Sequence, residues 1–97
     1  MYVVRNVFQC KPGKAKELVE KMKAAGPHLE AMGVRNRRIL SDAATGFWTV
    51  VVEAEVENVA DYFDALDRRG GSRELADAMA GYMELVTGGR REIYKLE

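Results

Sequence analysis

One pattern of apolar residues occurs in both halves of the chain and limits its possible folds more than any other feature. In each half a strand-like segment comes first, and a segment whose apolar residues recur at steps of three or four follows it. Such steps place apolar side chains on one face of a helix. The matching helical positions are Ala15, Leu18, Val19 and Met22 in the first half, and Val59, Tyr62, Phe63 and Leu66 in the second. The sequence therefore predicts two similar strand–helix units.

The first unit opens with residues 2–9, which are rich in Val, Phe and Tyr and stop at the turn signal Lys11-Pro12-Gly13. The amphipathic helix follows directly. Pro27 falls within its apolar pattern. Because proline lacks the N–H that a helix interior uses, we expect a kink or an interruption near Gly26.

A hairpin is expected in the middle of the chain. Residues 34–41 predict its first strand, and Phe47 to Val56 give the strongest strand signal of the chain, after a short connection that ends in Gly46. Charge crowds the first of these two strands, as is typical of a sheet edge. Its three arginines are Arg35, Arg37 and Arg38.

The second unit continues with a helix that Asn58 is expected to cap. Gly70-Gly71 should break this helix, and Ser72 should cap a continuation that ends at Thr87-Gly88-Gly89. Arg91 to Leu96 form the predicted last strand. The order is thus βαββαβ, which predicts one α+β domain over residues 1–97: a ferredoxin-like, antiparallel four-stranded sheet with two helices on one face.

The two sides of this sheet differ. Alternation in the third strand gives one wholly apolar side, formed by Trp48, Val50, Val52, Ala54 and Val56, which should pack on the helices together with Val4, Asn6 and Phe8 of strand one. Two helices cannot cover the other side, so we expect a homodimer that buries it. The candidate interface residues are Val3, Arg5, Val7, Phe47, Thr49, Val51 and Glu53. Arg5 and Glu53 are expected to hydrogen-bond each other or their counterparts across the dimer interface.

Composition narrows the possible functions. Fifteen basic residues balance fifteen acidic ones, so no strong field favours nucleic acid or an anionic membrane. No apolar run approaches the ~20 residues of a membrane span, and no secretory signal pattern is present. We expect a cytoplasmic protein without nucleic-acid or membrane partners. With Cys10 as the single cysteine and His28 as the single histidine, we expect no disulfide within the chain and no metal site.

Four segments together resemble the dimeric α+β barrel superfamily, and most of all its small NIPSNAP-like proteins, with the antibiotic-biosynthesis monooxygenases as cousins. They are Arg5, the Lys11-Pro12-Gly13-Lys14 turn, the strand from Thr49 to Glu53, and the closing Arg90-Arg91-Glu92-Ile93-Tyr94. The resemblance implies a dimer with a ligand cavity between the sheet and the helices of each subunit. Haem-degrading relatives carry an asparagine on strand one, a tryptophan on strand three and a haem-ligating histidine on the second helix. Asn6 and Trp48 match the first two positions, but His28 lies near the end of helix one. This departure argues against haem degradation.

Four residues are candidates for ligand binding: Asn6, Trp48, Tyr62 and His28. An amide on the helix-facing side of a strand needs a partner or a ligand, so Asn6 can serve either purpose. Trp48 can line a cavity or pack in the core. His28 is more simply interpreted as a solvent-facing or structural residue than as a general base or a metal ligand. We interpret the arginines of strand two as edge protection rather than as a grip for an anion.

Two functions remain open at this point. The first is a NIPSNAP-like homodimer that binds a small hydrophobic or aromatic molecule between sheet and helices, without a cofactor. The second is a cofactor-independent monooxygenase or isomerase acting on an aromatic or polyketide-like substrate. No nucleophile–base pair and no paired carboxylates in the sequence decide between them, and so the sequence does not establish whether the chain is an enzyme.

Overall fold

The predicted α+β architecture is confirmed. The computed structural model describes residues 1–67 and 73–97. Its elements are β1 (Tyr2–Cys10), α1 (Ala15–Glu30), β2 (Arg35–Ser41), β3 (Thr49–Val56), α2 (Val59–Asp67), α3 (Arg73–Ala78), a 3₁₀ turn (Tyr82–Leu85) and β4 (Val86–Lys95). The strands form one antiparallel sheet in the order β2-β3-β1-β4. This is a ferredoxin-like fold.

The helices pack on one side of the sheet, called here the helix face. Val4, Val50 and Val52 on this face are buried and join apolar side chains of α1 in the core. Leu18 of α1 and Val50 of β3 are both 0% exposed. Burial of one side of a strand fixes which of its residues face the core. The predicted assignment of residues of β1 and β3 to the helix-facing side is therefore confirmed.

The other side of the sheet, called here the open face, carries most of the predicted interface residues. In the β1–β3 register Arg5 lies opposite Glu53, Val7 opposite Val51, and Gln9 opposite Thr49. Strands β2 and β4 form the two edges of the sheet. The predicted edge position of strand two is thus correct, although β2 begins at Arg35, one residue later than expected.

Of the kink or interruption predicted near Gly26, the interruption does not occur, because α1 runs through Pro27. It continues to Glu30, one turn beyond Gly26. Proline removes only one donor of the helical ladder, and this turn is still closed by the N–H of Ala31, which donates to the carbonyl of Pro27 at 3.1 Å. Near the end of a helix a missing donor is less costly than in the middle.

The second half departs most from the sequence-based expectation. Asn58 does cap α2, since its Oδ1 accepts from the N–H of Asp61 at 3.0 Å. The predicted break at Gly70-Gly71 and the cap at Ser72 lie outside the described residues. The continuing helix ends at Ala78 rather than at Thr87, and β4 starts at Val86 rather than at Arg91.

Gly88 and Gly89 explain that error. They are part of β4, whereas the sequence suggested a helix end. A Cβ at position 89 would lie 2.6 Å from the carbonyl oxygen of Val7, which is closer than real Cβ contacts. Glycine is required here because β1 and β4 approach each other so closely.

Strand β3 begins at Thr49, two residues later than predicted. Phe47 and Trp48 belong to the loop before it and are 81% and 42% exposed, and Trp48 has a positive φ of 61°. The prediction that Trp48 opens the helix-facing side of this strand is therefore wrong. The loop is closed by a hydrogen bond in which the N–H of Thr49 donates to Asp42 Oδ1 at 2.9 Å.

No described helix is long and apolar enough to span a membrane.

Candidate functional site

A cavity of about 350 Å³ lies between the helix face and the helices. It is within the size range of small-molecule sites in proteins, roughly 300 to 1,000 Å³. Its apolar lining comes from β1, β3, α1, α2, α3 and the turn after α3: Phe8, Met22, Ala25, Leu29, Val52, Leu66, Leu75, Ala76 and Met79. Its polar lining residues are Asn6, Arg37, Tyr62, Tyr82 and Arg91.

Asn6 and Arg91 form one side of this cavity. They are cross-strand neighbours of β1 and β4, and the Nε of Arg91 donates to Asn6 Oδ1 at 2.8 Å. The guanidinium carbon of Arg91 also lies 5.2 Å from the ring centroid of Phe63 on α2. An amide and an aromatic ring therefore hold this exposed guanidinium at the rim of the cavity, in an orientation that favours a cation–π contact.

Arg37 reaches the cavity from the opposite edge of the sheet. Its side chain runs under α1, where an Nη donates to the carbonyl oxygen of Met22. A Cβ on Gly26 would lie 3.1 Å from the other Nη, so the glycine makes room for the guanidinium. Burial lowers the pKa of Arg37, and attraction from Glu30 and Tyr62 partly offsets this effect. Its Nε is buried with no hydrogen-bond partner among the described residues.

The cavity thus combines apolar walls with two guanidinium groups and no carboxylate. None of its lining residues is Asp, Glu, His or Cys. The described residues also contain no cluster of three or more such side chains placed to hold a metal ion. An arrangement of this kind can bind an apolar molecule and orient it through hydrogen bonds and positive charge.

Two of the four sequence-predicted ligand candidates line the cavity. Asn6 and Tyr62 are there, whereas Trp48 and His28 are not among the lining residues. His28 lies in the last turn of α1 and is partly exposed. The structure adds Arg37 and Arg91, which the sequence analysis missed. The signal was present: each arginine stands beside a second one in an edge strand, and strand alternation places one of each pair on the helix face.

The open face carries a row of alternating charges across the four strands. Arg38 of β2 and Arg5 of β1 both contact Glu53 of β3, the latter at 2.6 Å, and Arg5 approaches Glu92 of β4 at 3.5 Å. Arg90 pairs with Glu92 at 2.6 Å. The predicted hydrogen bond between Arg5 and Glu53 is therefore confirmed within one subunit.

These pairs shift the acidity of the two glutamates. Hydrogen bonding from Arg38, followed by attraction from Arg38 and Arg5, holds the pKa of Glu53 below its ordinary value despite the opposing effect of burial. Arg90 has the same effect on the pKa of Glu92, mainly through its hydrogen bond. Both carboxylates are ionised at neutral pH, which matches their arginine neighbours.

Solved structures with the same fold bear out the resemblance noted in the sequence. A NIPSNAP domain protein from Burkholderia xenovorans superposes with a TM-score of 0.80 at 11% identity, over 100% of this chain and 95% of the other. A NIPSNAP family protein from Agrobacterium tumefaciens gives 0.79 at 12% identity, covering 99% and 92%. A putative antibiotic biosynthesis monooxygenase from Nitrosomonas europaea gives 0.78 at 13% identity, covering 99% and 98%.

These likenesses define the class of fold: the ferredoxin-like fold that NIPSNAP proteins and antibiotic-biosynthesis-monooxygenase-like proteins share. At such low identity they establish the fold alone. No protein-family model and no curated protein matches the sequence. The function must therefore be argued from the cavity and the faces of the sheet.

Proposed function

We propose that this protein binds a small, mainly apolar molecule in the cavity between its sheet and its helices. The observation that carries the proposal is the cavity itself, about 350 Å³ in volume, with nine apolar lining residues and five polar ones. Small-molecule sites are typically concave, mostly apolar and lined by a few polar groups. A site of this size and composition therefore favours a ligand over a purely structural role for the domain.

Binding is better supported than catalysis. A cofactor-independent monooxygenase or isomerase, acting on an aromatic or polyketide-like substrate, has to remove a proton from that substrate. General bases near neutral pH are most often His, Asp or Glu, and none of these lines the cavity, whose titratable groups other than arginine are Tyr62 and Tyr82. The arginines would stabilise an anion formed there, but they do not take a proton.

We also propose that the protein acts as a homodimer joined through its open face. An apolar row of Leu40, Val51 and Val7 crosses three strands on this face, next to the row of alternating charges. No described helix packs on this side, and the subunit is only 19 Å across its thinnest dimension. A chain of this length has a modest core, so a second layer would add stability. An obligate interface of this type buries roughly 2,000 Å² or more.

Nile red, a neutral dye whose emission rises in apolar surroundings, tests the binding proposal. Ala76 on α3 and Ala24 on α1 are both exposed helical alanines, but only Ala76 lines the cavity. The dye should bind the native protein with increased emission, and Ala76→Trp should weaken its affinity by about tenfold or more by filling the space. The matched variant Ala24→Trp should bind as the native protein does. Equal affinity in all three proteins would rule out the cavity as the binding site.

A further inference from the structure

Each edge strand of the sheet carries two adjacent arginines. These are Arg37 and Arg38 in β2, and Arg90 and Arg91 in β4. Successive residues of a strand point to opposite faces. Arg38 and Arg90 therefore lie on the open face with their glutamate partners, while Arg37 and Arg91 line the cavity. The fold presents two matched pairs in which only the face differs.

The two cavity arginines have no carboxylate partner in the described part of the chain. Arg38 and Arg90 are each within salt-bridge distance of a glutamate, but the partners of Arg91 are an amide and an aromatic ring. Arg37 donates to a backbone carbonyl, and its Nε is buried without a partner. Burial lowers the pKa of Arg37 more than the attraction of Glu30 raises it, so the charge of Arg37 is only partly compensated. A charge in this state is destabilising, and an anionic group in the cavity would reduce this cost.

Arg91 is suited to hold such a group. Its Nε is engaged by Asn6 and its guanidinium plane lies near Phe63, so its terminal nitrogens are presented as an oriented pair of donors. A guanidinium of fixed orientation matches the two oxygens of a carboxylate. Asn6 acts here as a positioning residue for Arg91. Arg37 adds positive charge from the far edge of the sheet.

We propose that the ligand of this cavity is an amphipathic carboxylate, a small organic acid with an apolar or aromatic body. Arg91 binds the carboxylate at the rim, the charge of Arg37 favours it from inside, and the apolar lining contacts the body of the molecule. A highly charged ligand such as a nucleotide does not suit a lining with nine apolar residues of fourteen. The inference rests on the proposed binding function and specifies the class of ligand.

The test compares an acid with its neutral analogue. 2-Naphthoate and 2-naphthalenemethanol have the same aromatic body and are each used to displace Nile red at pH 7. We expect the acid to compete at least tenfold better than the alcohol against the native protein. Arg91→Gln should remove most of this preference while leaving the affinity for the alcohol unchanged, and Arg91→Lys should restore part of it. Asn6→Ala should reduce the preference, because Arg91 loses its orientation.

The neighbouring arginines provide the controls. Arg90→Gln and Arg38→Gln should leave the preference for the acid as it is, and Arg37→Gln should lower it. Because Arg37 packs under α1 and its variant can lose stability, the exposed Arg91 decides the matter. Equal competition by acid and alcohol would overturn the carboxylate assignment and leave the binding function standing. A preference that stayed undiminished in Arg91→Gln would overturn it as well. If Nile red binds in the cavity but neither compound displaces it, the carboxylate assignment alone is overturned, whereas failure of Nile red itself to bind would refute the binding function.

Discussion

The two faces of the sheet use arginine in different ways. On the open face Arg5, Arg38 and Arg90 share two glutamates, so positive and negative charges alternate from one edge of the sheet to the other. On the helix face Arg37 and Arg91 border an apolar cavity without a carboxylate. The same side chain thus forms ion pairs on one face and has no carboxylate within salt-bridge distance on the other. In the binding function proposed above, the partners of an arginine, rather than its residue type, distinguish a role in the fold from a role in ligand binding.

The largest expected effect concerns assembly through the open face. Leu40 of β2 lies on this face, opposite Val51, and is 39% exposed in the single subunit. A carboxylate at this position would stay in water in a single subunit but would be buried without a partner in a dimer, which is strongly unfavourable. Leu40→Glu should therefore convert the protein from a dimer to a 10.9 kDa monomer, as measured by light scattering at micromolar concentration.

Lys23→Glu provides the control for that experiment, because Lys23 is exposed on α1, away from the open face. This variant should keep the mass of the native protein. If the native protein itself has a mass of 10.9 kDa, the homodimer proposal is wrong.

A smaller effect is expected from the charge row. Glu53 contacts Arg5 and Arg38, and its side chain is only 13% exposed. The two arginine side chains are 38% and 69% exposed, so solvent screens these ion pairs. Glu53→Gln should therefore lower the free energy of unfolding by about 1 to 2 kcal/mol, which lies between the values for buried and for exposed ion pairs. Urea denaturation measures this change.

Glu55→Gln is the matched control. Glu55 is in the same strand and on the same face, and the described residues place no arginine or lysine within salt-bridge distance of it. This variant should change the unfolding free energy by less than about 0.5 kcal/mol, as surface substitutions usually do. Similar losses for both glutamates would mean that the ion pairs contribute nothing specific.

The smallest effect is a dependence on pH. Since the pKa of Glu53 is lowered in the folded state, its contribution is fully present above the ordinary glutamate pKa of about 4.3 and is lost as the pH falls through the lower folded value. The native protein should therefore lose up to about 1 kcal/mol more stability than Glu53→Gln on acidification below about pH 5. Parallel stability curves for the two proteins would contradict this.

The sequence predicted the fold well wherever one side of an element is buried. Alternation in β1 and β3 fixed their phase, and the apolar face of α1 was identified from its spacing, because burial in the core requires both patterns. The prediction failed where one short sequence is compatible with two different local structures. Gly88-Gly89 has the composition of a helix end, whereas the structure uses Gly89 for close approach to the carbonyl oxygen of Val7.

The candidate site was harder to predict than the fold. Asn6 and Tyr62 followed from the phase of β1 and from the face of the second helix, and both line the cavity. Arg37 was instead interpreted as edge protection, because the charge of an edge strand does not reveal which side chains lack a counter-ion. That property depends on contacts between Arg37, α1 and the cavity, which are distant in sequence.

The position of Trp48 determines how the protein can be observed by fluorescence. It is the only tryptophan of the chain and lies in the loop before β3, where its carbonyl accepts from the N–H of Cys10 at 2.8 Å. Trp48 is not one of the residues that line the cavity. Intrinsic emission therefore reports the loop at this end of the sheet rather than direct contact with a molecule in the cavity. The chain contains an optical label for unfolding, whereas occupancy of the cavity requires an external dye.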